Sequence, residues 1–256
     1  MSWASERRTY YFLGVVAFFA ILISIPIIKG LYEPASCFDK EQNQGETAPD
    51  KGGPCLILDE RALSPISVLW SRSFKIRDGY YTSVAYLQNA NDNAGIRALK
   101  YKFGLYDSRN VLIAEREGTT FVMPAGITPI FESAIDTGNR EVAHTYIEFT
   151  ETPLWERASD PAAVITLNNK EISDITSAPR LEASVTNTSV APLSDLSFIA
   201  AIFTTSGNAF AASKTTLSGL SAGEQEKIVF TWPEAFEFRV GRIDIFPLAM
   251  PRVQKR

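Results

Sequence analysis

Leu99-Lys100-Tyr101-Lys102-Phe103-Gly104-Leu105-Tyr106 decides the fold. Leu99, Tyr101, Phe103 and Leu105 alternate with Lys100, Lys102 and Gly104. A period of two puts one set on a buried face and the other in solvent, the pattern of a half-buried β-strand. Asp107-Ser108-Arg109-Asn110 reads as a turn, and Val111 to Glu115 as the returning hairpin partner. Upstream, Val68 to Arg77 reads as a first strand. Tyr81 to Leu87, β-branched and aromatic, reads as a second and runs into the turn-rich Asn89 to Gly95. Downstream, Met123-Pro124-Ala125-Gly126 is a turn before a strand from Thr128 to Ile135, and His144 to Thr150 closes the set.

The same order returns later in the chain. Leu196-Ser197-Phe198-Ile199-Ala200-Ala201-Ile202-Phe203 lies 97 residues after Leu99 to Tyr106. At that offset Asn110 falls on Gly207 and Ala114 on Ala211. Pro124-Ala125-Gly126 falls on Ser221-Ala222-Gly223, Phe131 on Ile228, and Ile147-Glu148-Phe149 on Asp244-Ile245-Phe246. One insertion shifts the earlier strands, where Asn89 falls opposite Asn187. Strands are expected at Val164 to Leu167, Leu181 to Thr186, Ala209 to Ser213, Gln225 to Trp232 and Arg239 to Pro247. A period near 100 is too long for a solenoid unit and implies two copies of one domain. Short strands with a turn about every ten residues fit antiparallel β-sandwiches.

Tyr10 to Ile28 carries no charge, and only Gly14, Ser24 and Pro26 interrupt its apolar run. Nineteen residues at about 1.5 Å each make a helix near the hydrocarbon thickness of a bilayer. A cleaved secretory signal has a shorter apolar core and a small-x-small site, and Lys29-Gly30-Leu31-Tyr32-Glu33 offers none. Arg7 and Arg8 precede the run and Lys29 follows it. The positive-inside bias then expects a cytoplasmic N-terminus over 1–9, a transmembrane helix over 10–29 in the cell membrane, and the remainder outside. Cys37 and Cys55, the two cysteines, are expected to pair there, because a disulfide persists in an oxidising compartment. The expected layout continues with a stalk over 30–55, a first sandwich over 56–152 and a second over 153–256 that ends in a short basic tail.

The stalk between the cysteines is rich in Gly, Pro and acidic or amide residues, the composition of a tether. Asp39, Asn43, Glu46 and Asp50 are oxygen donors spaced three to four apart, which calcium prefers. Cys37, these four residues, Gly52, Gly53 and Cys55 together resemble a cysteine-flanked acidic motif of extracytoplasmic proteins. Lys40 stands where that motif has glycine, and Lys51 where it has a third cysteine. Closing a loop of this length contributes about 3 kcal/mol in the chain-entropy account.

Phe103-Gly104-Leu105-Tyr106-Asp107 resembles the Phe-x-Leu-Tyr-Asp string of a bacterial immunoglobulin-like domain, similar to the water-stress type of sandwich. Ala200-Ala201-Ile202-Phe203-Thr204 keeps only its aromatic and aliphatic pattern. The order of anchor, acidic cysteine loop and two sandwiches resembles an uncharacterised family of bacterial single-pass envelope proteins. The resemblance implies a mainly β fold and brings no activity with it.

Catalysis needs convergent titratable groups, and none stands out. The 256 residues carry a net charge of −4 and one histidine, His144, which argues against a nucleic-acid surface and a histidine-dependent triad. Asp136-Thr137-Gly138 reads as a turn rather than a protease motif. Trp155, between the copies, is expected in the joint, and Trp232 at a strand end in a core or edge. Asn187-Thr188-Ser189 fits a glycosylation acceptor. The expectation is a non-enzymatic anchored protein, without a cofactor unless calcium enters the stalk, that offers loops to other envelope proteins. The loops are Asn89 to Gly95, with Asn91 and Asp92, and Asn187 to Asp195. Glycan or cell-wall binding is the alternative and requires an exposed aromatic strip on one sheet.

Overall fold

The computed structural model describes residues 3–31, 36–43 and 45–254. The chain divides into two units, Met1–Pro54 and Cys55–Arg256. In the first, helix α1 runs Trp3–Leu31, starting earlier than the apolar run alone suggests. Its stretch Arg8–Ile28 is long and apolar enough to cross a membrane, and none of it is buried in protein. The Ser24 hydroxyl donates to the Ile21 carbonyl at 2.9 Å, so the polar group inside the run is satisfied without water.

The second unit is antiparallel β throughout. Its first strands are β1 (Ser67–Arg77), β2 (Tyr80–Asn89), β3 (Ala94–Tyr106), β4 (Leu112–Val122), β5 (Gly126–Asp136), β6 (His144–Phe149) and β7 (Glu156–Ser159). Then come β8 (Ile165–Ser173), β9 (Arg180–Asn187), β10 (Leu193–Thr204), β11 (Ala209–Leu220), β12 (Gln225–Thr231), β13 (Val240–Leu248) and β14 (Arg252–Val253). The sheets are ordered β1-β2-β5, β14-β7-β3-β4 with β6 also on β3, β12-β9-β8, and β11-β10-β13. Among the described residues of this unit the only helical turns are Glu60–Ala62 and Pro161–Val164.

Each half closes its own core between two sheets. In the first, Ala85, Leu87 and Ile130 face Leu99, Tyr101, Phe103 and Leu105, the residues whose period of two marks the strand. In the second, Leu181, Ala183, Val185 and Ile228 face Leu196, Phe198, Ala200 and Ile202. Trp155 lies in the first core, 4% exposed, rather than in the joint. Trp232 lies in the second and donates its indole N–H to the Ala212 carbonyl at 3.1 Å.

The boundary expected at residue 152 falls short of the strand pairing. β7 pairs with β3 through Gly95 and Glu156, and β14 pairs with β7 through Arg252 and Ser159. The chain thus returns at its far end to the first half. Neither strand was foreseen, because four and two residues are too few to show a period.

The halves stack sheet on sheet. Phe74, Val84 and Tyr86 from β1-β2-β5 form one buried cluster with Ala201, Phe203, Ala209 and Ala212 from β10-β11. Trp70 lies 4.2 Å from Tyr86, and Phe246 lies 5.1 Å from it, ring centre to ring centre. The Arg242 guanidinium sits 4.0 Å above the Phe203 ring. Strands β2 and β10 are therefore buried on both faces. The Tyr86 hydroxyl is buried here without a hydrogen-bond partner, and burial raises its pKa. Removing an unpaired buried hydroxyl while keeping the ring relieves a desolvation cost. Tyr86→Phe is expected to stabilise the protein by about 1 kcal/mol, measured as a higher denaturation midpoint. A lower midpoint would show that the hydroxyl has a partner.

Candidate interaction site

The disulfide loop comes first. Both Cys37 and Cys55 are disulfide-bonded, so no thiolate remains to hold a metal. Of the expected calcium donors, Asp39, Glu46 and Asp50 turn onto the loop's own amides, while the Asn43 side-chain oxygen is buried without a hydrogen-bond partner among the described residues. Asp39 accepts the Glu41 backbone N–H at 2.9 Å and the Asn43 side-chain amide at 3.0 Å. Both oxygens of Asp50 accept the Lys40 backbone N–H at 3.2 Å. Glu46, buried, accepts the backbone N–H groups of Asn43 and Asp50 at 3.3 and 3.2 Å. Among the described residues the group that gathers within 4.8 Å is the Glu46 carboxylate with the sulfurs of Cys37 and Cys55. The loop's carboxylates serve as caps of its turns.

Lys40 explains what its departure from glycine costs. Its φ is +64°, in the left-handed region where a side chain meets its own carbonyl. Lys40→Gly is expected to relieve about 1 kcal/mol, less what glycine adds to the freedom of the open loop. Amide exchange across residues 39–53 should slow a few-fold. Faster exchange would show that the lysine side chain outweighs the strain.

The corresponding contact loops divide into buried and exposed parts. Asn89 and Asn187 are 1% and 0% exposed, too deep to touch a partner. The Asn89 amide donates to the Ala94 and Met123 carbonyls at 2.7 and 2.8 Å. The Asn187 amide donates to the Ala191, Leu220 and Ser221 carbonyls at 2.8, 3.1 and 3.1 Å. Each pins its loop to the turn after the neighbouring hairpin. The burial also places the Asn187 acceptor out of reach of a glycosylating enzyme in the folded protein. Asn91 is half-buried and exchanges hydrogen bonds with Ser64, giving at 2.8 Å and receiving at 2.9 Å. Asp92 is exposed, and Asp195 is exposed inside β10 rather than in a loop.

The turn motifs are structural as well. Asp107 accepts the backbone N–H groups of Arg109 and Val111 at 2.9 Å and the Arg140 guanidinium at 2.6 Å. These bonds hold its carboxyl below the ordinary range, the Val111 amide foremost. Gly104 lies under the Tyr106 ring, where a Cβ would collide. Asp136 caps its turn through the Gly138 N–H at 2.8 Å. His144 is exposed at the start of β6.

A groove of about 370 Å³ opens beside the joint. Phe74 of β1 and Phe131 of β5 line one side. Phe210 of β11 and Trp232, Phe236 and Phe238 of the segment after β12 line the other. Phe236 stands perpendicular to Phe210 at 5.2 Å, and Phe238 is tilted on Phe210 at 5.6 Å. These contacts hold three rings in different planes, and Lys75, Lys214, Glu234 and Glu237 share the lining. The lining holds no nucleophile paired with a base. Phe210, Phe236 and Phe238 escaped the sequence reading. Pro233-Glu234-Ala235-Phe236-Glu237-Phe238 was the available signal, since two phenylalanines in a turn have no strand face to occupy.

No known protein family and no curated protein matches the chain. Among solved structures, a transglutaminase of red sea bream aligns over 73% of this chain and 31% of its own, at 8% identity and a TM-score of 0.24. The chain thus spans under a third of that protein, and at that score the likeness carries no argument.

Proposed function

We propose that the protein is a non-enzymatic, membrane-anchored protein of the cell envelope that presents paired β-sandwiches for contact with other proteins. The observation that carries this reading is the groove beside the joint. It combines aromatic surface with the charged side chains of Lys75, Lys214, Glu234 and Glu237, a mixture that suits recognition of a protein surface. In this reading α1 crosses the cytoplasmic membrane with Arg7 and Arg8 inside, and the β unit lies outside.

The halves are further read as two copies of one immunoglobulin-like domain of the Phe-x-Leu-Tyr-Asp type. The hairpin turns support that. Asn110 and Gly207 both have positive φ, +57° and +82°, and their N–H groups donate to Asp107 and Thr204 at 3.0 Å. Asn89 and Asn187 do the same work in each half.

Glycan binding is less well supported. Trp70, Trp155 and Trp232 are withdrawn into cores and the joint, and the aromatics exposed in the second unit are Tyr146 and Phe238.

The test is photocrosslinking in intact cells from the full-length protein carrying a photoreactive phenylalanine at position 238. Protein adducts at 238, with none from the same group at Lys102, are the expected result. Adducts to glycan alone would favour the alternative, and absence of any protein adduct would sink the contact reading.

A further inference from the structure

Strand β11 is an edge of its sheet, and the strand register says which of its backbone groups point outward. On the opposite edge, the Ile243 carbonyl accepts the Lys170 ammonium from outside the sheet at 3.5 Å. Pro247, four residues on, has no N–H to give a ladder. Ile243, Ile245 and Pro247 therefore face away from β10. Their partners there are Ile202, Ala200 and Phe198, which turn their backbone groups to β11 and meet Ala211, Ser213 and Thr215. Antiparallel pairs alternate, so Ala212, Lys214 and Thr216 turn theirs away from the sheet. The Ala212 carbonyl agrees, because it accepts the Trp232 indole N–H. Among the described residues nothing bonds the outward N–H and C=O groups of Lys214 and Thr216, and both residues are exposed.

An open edge is a template for another strand, and proteins guard theirs with prolines, bulges, charges or shortness. The other edges here are guarded. Strands β5 and β13 carry Pro129 and Pro247. Strand β8 is bulged between Asn168 and Glu171, and β1 near both ends. Strands β4 and β12 carry Glu115-Arg116-Glu117 and Glu226-Lys227, and β6 and β14 are six and two residues long. From Ala211 to Leu217, β11 has an unbroken register, no proline and one charge, Lys214. A space of about 440 Å³ lies against Lys214, Thr215 and Thr216, bounded by Phe131, Glu132 and Ser133. Phe131, Ser133 and Lys214 also line the aromatic groove, so the two spaces adjoin. An added strand finds backbone partners at Thr216 and Lys214 and must end at Ala212, whose carbonyl Trp232 holds. The aromatic groove begins there.

We propose that β11 is the docking edge for an extended segment of another protein, which pairs its backbone with Lys214 and Thr216 and seats an apolar side chain among Phe210, Phe236 and Phe238. In strand addition the main-chain bonds give affinity and the side-chain pocket gives specificity. A row of alternating N–H and C=O groups is matched by a second polypeptide backbone and by no lipid tail. The proposal deepens the contact reading and rests on it, naming how the partner binds and what it must present.

Two measurements on the full-length protein test it. In detergent micelles, the Lys214 and Thr216 amides should exchange with solvent at least about tenfold faster than those of Thr215 and Leu217. Slow exchange at Thr216 means the edge is already paired and overturns the proposal. In intact cells, the photoreactive phenylalanine at position 238 is combined with Thr216→Pro. Proline removes an outward N–H and sets its ring against an incoming strand, while the bonds to β10 stay, as they do at Pro247. The yield of protein adducts should fall at least about tenfold. Thr216→Val keeps the N–H and should leave the yield within about twofold. An unchanged melting temperature shows that the proline variant folds. If it melts lower, Lys214→Pro, at the other outward position, is read in its place. Adducts that survive the proline overturn strand addition and leave the contact reading standing. So do adducts made only with a second copy of the chain. Absence of any protein adduct without the proline removes both readings.

Discussion

Asn187→Ala is expected to lower the unfolding free energy by about 3 kcal/mol. The side chain is fully buried and every polar atom of it is used. Its amide donates to the carbonyls of Ala191, Leu220 and Ser221. Its oxygen accepts the Ser189 backbone N–H at 3.0 Å and the Ser189 hydroxyl at 2.8 Å. Alanine takes this partner from the Leu220 and Ser221 carbonyls and the Ser189 N–H, while the Ala191 carbonyl keeps the Ser189 hydroxyl at 2.9 Å. Each buried orphan costs about 1 to 3 kcal/mol, reduced where water can enter. Asn187→Asp should cost at least as much, because a carboxylate facing three carbonyls can donate nothing and brings a buried charge. Asn89→Ala tests the corresponding pin in the first half and should cost about 2 kcal/mol, since its amide serves two carbonyls rather than three. Urea denaturation of the full-length protein reads both. A loss below about 0.5 kcal/mol at Asn187 would show that the loop re-forms around water and that the amide is replaceable.

The strands were legible because one face of each half is solvated and the period of two survives there. Their exact correspondence was not. At the offset of 97, Leu99 pairs with Thr120 and Leu196 pairs with Leu217. The strands beside and opposite them sit one residue further on. Ala85 pairs with Ile130 as Ala183 pairs with Ile228, an offset of 98. Phe103 pairs with Ile147 as Ala200 pairs with Ile245, an offset of 97 on β3 but 98 on β6. The expected match of Phe131 to Ile228 was thus one residue out, and in a strand one residue exchanges faces. Ile130 faces the core, whereas Phe131 lines the groove. Loop insertions leave no trace in a period, so the slip could not be read from the pattern. The joint, in contrast, left a mark. Lys100 and Lys102 become Ser197 and Ile199 in the second half, and Phe198 to Phe203 is continuously apolar. An unbroken apolar run signals a strand buried on both faces. The groove was beyond reach, because its walls come from strands and a turn distant in sequence.

Ala201→Arg is expected to break the joint and to have the largest effect of any surface-to-core change in the protein. Ala201 is fully buried between the halves, opposite rings that leave it no room. Arginine there combines overpacking with an unpaired buried charge, each costing several kcal/mol, so about 4 kcal/mol or more is expected in total. Its consequence is specific, because each half keeps a complete core of its own. The halves should separate rather than unfold. Calorimetry of the full-length protein should show one melting transition replaced by two, and limited proteolysis should cut between β7 and β8. A single transition merely shifted downward would mean that neither half is stable alone. The outer faces differ from the joint. Beyond β3 lie ion pairs of Lys102 with Glu115 and Glu148 at 3.0 and 2.9 Å. Beyond β9, Glu182 joins Arg180 and Lys227 at 2.9 and 2.7 Å. Both faces are charged where the joint is apolar. Restoring charge inside the joint, as Ala201→Arg does, gives that face the character of the two that already face solvent.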